Sequence, residues 1–296
     1  MDRKKITKAI VPVAGLGTRM LPATKEVPKE LLLILNKPLI QHIVEEIADA
    51  GISDIIFVTR RGKASIQNYF SKNHELEEFL LSKKKNEILK NFPNNLHKKI
   101  NFFTVFQENP LGLGHAILTT QKLIKDEPFA IFLPDEFLIP RSSKPDFKEM
   151  IKNYSLFGKY QILVEKVPKK LISQYGVIKL KKKNPTTKKP ADILDIVEKP
   201  SRNIPSDYRV VGRYIIEPEV ISHLSLNIKG ANNEIQLTDS LSFQIGKVPF
   251  YAYNFSGIRY DCGTKLGFIK ANTNYAINDK HIGLEYKNWL SASLKD

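Results

Sequence analysis

Four short stretches of the 296-residue chain carry residues whose types and spacing could do chemistry. The first is Val13-Ala14-Gly15-Leu16-Gly17-Thr18-Arg19-Met20-Leu21-Pro22-Ala23-Thr24-Lys25, directly after an apolar run. Glycines there let backbone N–H groups approach an anion closely. Arg19 and Lys25 add two cations that could grip phosphates. The loop is not a Walker A motif, because no Gly-Lys-Ser/Thr follows at the required spacing. It is a poor dinucleotide fingerprint, because Met20 occupies the third glycine position. A plain tight turn accounts for Gly-x-Gly alone about as well. The second stretch is Leu133-Pro134-Asp135, at the end of a β-like run. Ligands of open α/β sheets sit at the carboxyl ends of strands, and an aspartate there can hold Mg²⁺, which prefers oxygen ligands. A turn-capping aspartate is the commoner use of that residue. The third is Glu198-Lys199-Pro200. The acid could bind a hydroxyl and the base a phosphate, or the two could form a solvated charge pair. The fourth is Tyr260-Asp261-Cys262-Gly263-Thr264, where Asp261 could be a second metal ligand or a helix cap.

The other reactive residue types supply little. The six histidines are scattered, and none pairs with another at metal-ligand spacing. His115, within Gly112-Leu113-Gly114-His115-Ala116, reads as a helix-start residue rather than a catalytic one. Cys262 is the sole cysteine, which excludes an intrachain disulfide and a zinc site built mainly from cysteines. A reducing, cytoplasmic setting fits.

The elements that must position these residues alternate β-like runs with helical periods. Strands are expected at residues 8–13, 54–59, 102–106 and 129–133, and helices at 38–50, 64–70, 75–89 and 115–124. Such alternation implies crossover connections and a parallel sheet covered on both faces. After about residue 160 short β-like runs dominate, at 161–167, 175–181, 193–197 and 209–216. Helical patterns return at 217–224, 234–245 and 265–277, and residues 284–294 look like a closing amphipathic helix. With no internal repeat and no low-complexity linker, one elaborated α/β domain over 1–296 is expected. Its parts would be a nucleotide-binding part to about 160, a sugar-binding part over about 161–264, and C-terminal helices over about 265–296, the labels following from the resemblance below.

Composition is that of an ordinary globular chain, with 42% hydrophobic and 26% charged residues. About 300 residues can bury roughly 75% of their unfolded surface, so a full core is available. The apolar run at 9–14 is too short for a signal peptide, and no stretch approaches the roughly 18 apolar residues of a membrane span. The net charge of +15 suggests a polyanionic partner. Its distribution argues otherwise: residues 81–100 carry +5 and residues 166–190 carry +9, leaving +1 on all the rest. No aromatic residues are interleaved with these lysines as stacking platforms, and no nucleic-acid-binding signature appears. A basic nucleic-acid-binding protein is therefore the disfavoured alternative, and neither nucleic acid nor membrane is expected as a partner.

Taken together, the identity, order and spacing of the motifs are specific. The run VPVAGLGTRMLPATKEVPKELL over residues 11–32 closely resembles the opening of the bacterial UTP–glucose-1-phosphate uridylyltransferases, of the nucleotide-sugar pyrophosphorylase family. So do Phe106-Gln107, Gly112-Leu113-Gly114-His115-Ala116, Leu133-Pro134-Asp135, Tyr175-Gly176-Val177, Val197-Glu198-Lys199-Pro200, Val211-Gly212-Arg213-Tyr214, Glu234-Ile235-Gln236-Leu237-Thr238-Asp239 and Asp261-Cys262-Gly263. The resemblance spans nearly the whole chain. It implies a single Rossmann-like nucleotidyltransferase domain, with a central mixed, mostly parallel sheet flanked by helices and a smaller β-rich sugar-binding part. It also implies that UTP and α-D-glucose 1-phosphate give UDP-glucose and pyrophosphate with Mg²⁺, by in-line attack and without a covalent enzyme intermediate. By resemblance, Ala14 and Gly15 bind the nucleoside, and Gln107 and Gly112 the uracil edge. Arg19 holds the outgoing pyrophosphate, and Lys25 sits at the α-phosphate. Asp135 carries the metal, with Asp261 as second ligand. Gly176, Glu198, Val211 and Gly212 bind sugar hydroxyls, and Lys199 the sugar phosphate. Relatives form dimers or tetramers, so a homodimer or homotetramer is expected.

Two positions depart from the family pattern. Glu136 follows Asp135 where many members have a second aspartate or an apolar residue, which bears on the outer shell of the metal. Asn232-Asn233 replaces an expected glycine-rich pair, and Asn tolerates positive φ better than most residues. The related alternative is a thymidylyltransferase using dTTP, against which Gly112-Leu113-Gly114-His115-Ala116 and Cys262 tilt. An inactive binding homologue is a weaker alternative, since Arg19, Lys25, Asp135 and Lys199 are all intact.

Overall fold

The run Lys8–Pro12 (β1) becomes a central strand because its residues are apolar on both faces. The computed structural model describes residues 4–90, 92–93, 96, 100–141, 146–158, 160–181, 185–186 and 189–294. Lys98, Lys99, Lys182, Lys183 and Lys188 of the lysine runs lie outside the described residues. After β1 and its glycine loop, a small ribbon of β2 (Leu33–Ile34) and β3 (Lys37–Pro38) leads into α1 (Leu39–Asp49). β4 (Asp54–Thr59) is followed by α2 (Ser65–Phe70), α3 (His74–Ser82) and α4 (Asn86–Lys90), then β5 (Asn101–Phe106), α5 (Leu113–Leu118), α6 (Gln121–Ile124) and β6 (Phe129–Phe132). β7 (Glu136–Ile139), α7 (Asp146–Phe157), β8 (Tyr160–Lys166) and α8 (Lys169–Ile172) lead to the β-rich stretch of β9 (Gly176–Leu180), β10 (Ala191–Glu198) and β11 (Tyr208–Ile216). The chain closes with α9 (Glu219–Leu224), α10 (Leu237–Gln244), β12 (Phe250–Asn254), β13 (Ile258–Asp261), α11 (Lys265–Ile277) and α12 (Gly283–Ser293).

One nine-stranded sheet, in the order β5-β4-β1-β6-β11-β8-β12-β10-β9, organises the molecule. It is parallel over β5-β4-β1-β6 and between β8 and β12. β11 is antiparallel to β6 and β8, and β10 is antiparallel to β12 and β9. The β-rich stretch thus continues the same sheet. Successive side chains of the buried strands feed two cores: Ile10, Ile56 and Ile131 pack on one face, and Val11, Phe57 and Phe132 on the other. Each such side chain contributes on the order of 1.5–3 kcal/mol of burial. A third cluster, with Ile34, Leu39, Phe137, Cys262 and Ala271, lies under the separate β7–β13 pair. No helix of the described residues is long and apolar enough to cross a membrane.

Several expected elements differ. The expected 75–89 helix is two helices, broken at Lys84 with φ of 54°. The expected 115–124 helix divides where the Thr119 and Thr120 hydroxyls donate to the carbonyls of Ala116 and Ile117, competing with the helical ladder. The expected 234–245 helix begins only at Leu237, behind a turn in which Asn232 and Asn233 have φ of 58° and 60°; the turn survives the loss of glycine. The C-terminal helix forms, but it does not close onto a core: Leu284 and Leu294 are 76% and 79% exposed. β7, α7, α8, β12 and β13 fall in stretches that the periodicity left unassigned.

Candidate active site

The glycine loop leaves the carboxyl end of β1 and folds back on itself. Gly17 has φ of 66°, and its carbonyl accepts from the Thr24 hydroxyl at 2.7 Å. A buried cation pins the loop from below. Lys63 Nζ donates to the carbonyls of Val13 at 2.5 Å and Gly15 at 3.2 Å, and to Glu30 Oε2 at 2.8 Å. Ala14 is partly exposed, and Gly15, Arg19 and Lys25 are exposed.

Asp135 stands two residues beyond Leu133, at the carboxyl end of β6. The lysine that reaches it is Lys29, with Nζ 2.6 Å from Asp135 Oδ2. Burial alone would raise the Asp135 carboxyl, but the Lys29 charge and hydrogen bond, with Arg19 behind them, hold it below the ordinary carboxylate value. Burial likewise works against the charged Lys29, and Asp135 and then Glu30 outweigh it, so its ammonium is stabilised. Arg213, fully buried, fixes the turn that carries Asp135. It donates to the Leu133 carbonyl at 3.0 Å and the Glu136 carbonyl at 3.0 Å, while Glu46 accepts from its guanidinium.

Asp261 comes to the same place through the β7–β13 pairing, which sets it opposite Glu136. Cys262 N–H donates to the Asp135 carbonyl at 2.8 Å, locking the two acidic segments together. The space between them exists because residue 263 is glycine. A Cβ there would lie 2.9 Å from Arg19 Nη2, 3.0 Å from Asp261 Oδ1 and 3.1 Å from Asp135 Oδ2. Two carboxylate oxygens and a guanidinium thus face one small gap. Among the described residues no group of three or more His, Cys, Asp or Glu could hold a metal. A pair of carboxylates fits a hard divalent cation that completes its shell with water and substrate phosphate. Glu136 is turned elsewhere: its carboxylate accepts from Arg209 at 3.1 and 3.2 Å and from Arg259 at 2.7 Å. Both arginines also bind Glu165.

A cavity of about 220 Å³ is lined in part by Leu133 and Glu136 of the turn that carries Asp135. Gly176, Glu198 and Gly212 line it together with Leu133, Gln236 and Thr238. Burial pushes the Glu198 carboxyl upward against the pull of Lys199, and the Thr238 hydroxyl donates to Glu198 Oε2 at 3.1 Å. Gly212, with φ of 70°, cannot carry a side chain, since a Cβ would meet Leu133 at 2.8 Å. Val211 points to the opposite sheet face and packs in the core, so only its backbone is left to a ligand. Lys199 takes a strained φ of 44°, held by its N–H donating to the Tyr175 carbonyl at 3.1 Å. Its Nζ is 3.8 Å from Glu198 Oε1.

Gln107 follows β5 and is buried; its Nε2 donates to the Gly112 carbonyl at 3.1 Å. Leu113, next in the chain, lines the 220 Å³ cavity, so one loop joins the Gln107 end to the Glu198 end. Of the sequence-expected residues, Arg19, Asp135 and Asp261 therefore meet at Gly263, and Gly176, Glu198 and Gly212 line one cavity, while Ala14 and Gly15 follow β1, Gln107 follows β5 and Lys25 is exposed. Lys29, Glu30 and Lys63 are not among the residues expected from the sequence. Lys29 and Glu30 lie inside the 11–32 run, and a second lysine four residues after Lys25 was the available signal. For Lys63 the sequence offers none.

The nucleotidyl transferase family model matches residues 8–278. A Staphylococcus epidermidis protein, the UTP–glucose-1-phosphate uridylyltransferase, is 43% identical over 97% of this chain and 98% of its own length. The UDP-glucose pyrophosphorylase of Acinetobacter baumannii superimposes with a TM-score of 0.89 at 38% identity, covering 97% of this chain and 99% of that one. Its UTP-bound form gives 0.88 at 38% identity, covering 96% and 98%. A Bacillus anthracis protein assigned to the glucose-1-phosphate thymidylyltransferases is 20% identical with a TM-score of 0.71 over 92% of this chain and 96% of that one, and shares the fold. Enzymes of the family are generally divalent-metal dependent. The chain belongs to the nucleotidyl transferase family and, within it, to the UTP–glucose-1-phosphate uridylyltransferases.

Proposed function

We propose that this chain converts UTP and α-D-glucose 1-phosphate to UDP-glucose and pyrophosphate. A phosphate oxygen of the sugar phosphate attacks the α-phosphorus of UTP in line, forming the new P–O bond as the bond to the pyrophosphate oxygen breaks. The observation that carries the reading is the gap at Gly263, where Arg19, Asp135 and Asp261 converge beside a cavity lined by Glu198. Phosphoryl transfer of this kind needs positioning and charge stabilisation more than covalent chemistry.

In this reading Ala14 and Gly15 contact the nucleoside, and Gln107 and Gly112 the base. Arg19 grips the leaving pyrophosphate. Lys29, rather than Lys25, sits where charge builds on the α-phosphate, because its ammonium reaches Asp135 whereas the Lys25 side chain is exposed. Asp135 and Asp261 hold Mg²⁺, which neutralises phosphate charge when bound. Gly176, Glu198, Gly212 and the Val211 backbone receive the sugar hydroxyls, and Lys199 the sugar phosphate. A cytoplasmic setting suits these substrates. A homodimer or homotetramer would cover the apolar side chains that α11 and α12 leave exposed, Leu266, Ile269, Leu284 and Trp289 among them.

Pyrophosphate release across a panel of nucleotides and sugar 1-phosphates, with and without Mg²⁺, tests the reading. Turnover is expected to be highest for UTP with glucose 1-phosphate, and to vanish on chelation. A strong preference for dTTP over UTP would overturn it in favour of thymidylyl transfer.

A further inference from the structure

His115 has no part in the phosphate chemistry, yet its ring is in direct contact with the proposed base-binding amide. It occupies the third residue of α5, and Nδ1 lies 3.0 Å from Gln107 Nε2. The same Nε2 is 3.1 Å from the Gly112 carbonyl. A backbone carbonyl can only accept, so the atom facing it must be the amide NH₂. That NH₂ has two hydrogens, one for Gly112 and one for His115. The ring nitrogen facing it must then accept, which puts the proton of the neutral imidazole on Nε2. Burial favours that neutral ring by lowering the His115 pKa. The backbone is fixed as well, since Gln107 N–H donates to the Thr59 carbonyl at 2.7 Å. With both NH₂ hydrogens engaged, Oε1 is the amide's remaining group. It accepts from no described residue and is not sealed from solvent.

We propose that His115 is a positioning residue that holds the Gln107 amide with Oε1 outward, so that the base pocket selects a pyrimidine carrying an N3–H. This rests on the uridylyl-transfer reading. Uracil and thymine offer a donor at N3, which Oε1 accepts. Cytosine offers a lone pair at N3, which meets the lone pairs of Oε1 and leaves both unpaired. A site committed to one hydrogen-bond polarity rejects the opposite one far better than an apolar pocket would. If the amide turned over, Nε2 would face the base and the rejection of cytosine would fail. The Gly112 carbonyl resists that rotation, and the acceptor on His115 doubles the resistance.

The test is kcat and KM for UTP, CTP and dTTP with glucose 1-phosphate in wild type, His115→Leu and His115→Asn. Asparagine can place its side-chain oxygen near the position of Nδ1 and so keep an acceptor, while leucine has none. In His115→Leu the UTP-over-CTP preference in kcat/KM should fall about tenfold, the scale of one lost hydrogen bond, with the penalty for UTP in KM. The UTP-over-dTTP preference should not move, because both bases carry N3–H. His115→Asn should retain most of the cytosine rejection. An unchanged UTP-over-CTP ratio in the leucine variant would overturn the proposal, as would equal loss in the two variants. Should the leucine variant not fold, loss of cytosine rejection in a folded His115→Asn protein would overturn it by itself. Failure of the wild type to use UTP would instead strike the uridylyl-transfer reading.

Discussion

Lys29 Nζ and Asp135 Oδ2 lie 2.6 Å apart, in side chains that are 15% and 24% exposed. The pair joins the glycine loop after β1 to the turn after β6. Lys29→Met should lose on the order of 10²-fold or more in turnover, as for loss of a transition-state charge donor, while Lys25→Ala should lose less than about tenfold. Steady-state pyrophosphate release compares them; the reverse order would restore Lys25 to the reaction centre.

The same pair sets a pH dependence. Asp135 is held below its ordinary value in the folded state, so it stabilises the fold above the unfolded carboxylate pKa. That contribution is lost as the pH falls through the lower, folded value. In Lys29→Met burial is opposed less and the Asp135 carboxyl rises toward or past its unfolded value, so the variant is less stable at pH 7 and loses less stability than wild type on acidification, the gap between the two narrowing as the pH falls. Melting temperature followed from pH 7 down to pH 3 reads this out, and identical profiles would contradict it.

Gly263→Ala should act on the metal. The new methyl would enter the gap between Arg19, Asp135 and Asp261 at about 3 Å from each. The expected result is at least a tenfold rise in the Mg²⁺ concentration needed for half-maximal turnover, with melting little changed. Magnesium titration of activity checks it, and an unaltered requirement would place the metal elsewhere.

Gly176→Ala should act on the sugar alone. Its Cβ would stand 3.2 Å from Glu198 Oε2 and 3.2 Å from Thr238 Cγ2, narrowing the 220 Å³ cavity. KM for glucose 1-phosphate should rise about tenfold while KM for UTP stays within about twofold, since a uniform binding loss appears in KM. Equal effects on both substrates would argue that the cavity is not the sugar subsite.

Arg209→Met should cost about 3–5 kcal/mol, because it strands buried acids that it now pairs. Arg209 is fully buried between Glu136 and Glu165, with Arg259 as the remaining partner. Urea unfolding measures the loss, and a change below about 1 kcal/mol would show that Arg259 satisfies both acids alone.

By itself the sequence determined the family, the reaction class and most of the residues that gather at the site. Motifs such as Leu133-Pro134-Asp135 and Asp261-Cys262-Gly263 are local, and local order survives in a linear reading. The apolar runs of β1, β4 and β6 were legible for the same reason, since strand burial is written in residue type. What only the tertiary structure decided were relations between distant segments. Nothing in the spacing separates Lys25 from Lys29. Their surroundings diverge because the loop folds back on Thr24 and carries Lys29, not Lys25, to Asp135, 106 positions along the chain. Lys63 reaches the loop from 48 positions beyond Gly15, and Glu136 is drawn away from the Asp135–Asp261 gap by Arg209 and Arg259, 73 and 123 positions away. The exposed α12 shows the opposite limit: its apolar residues were visible in the sequence, but what they face is fixed by packing.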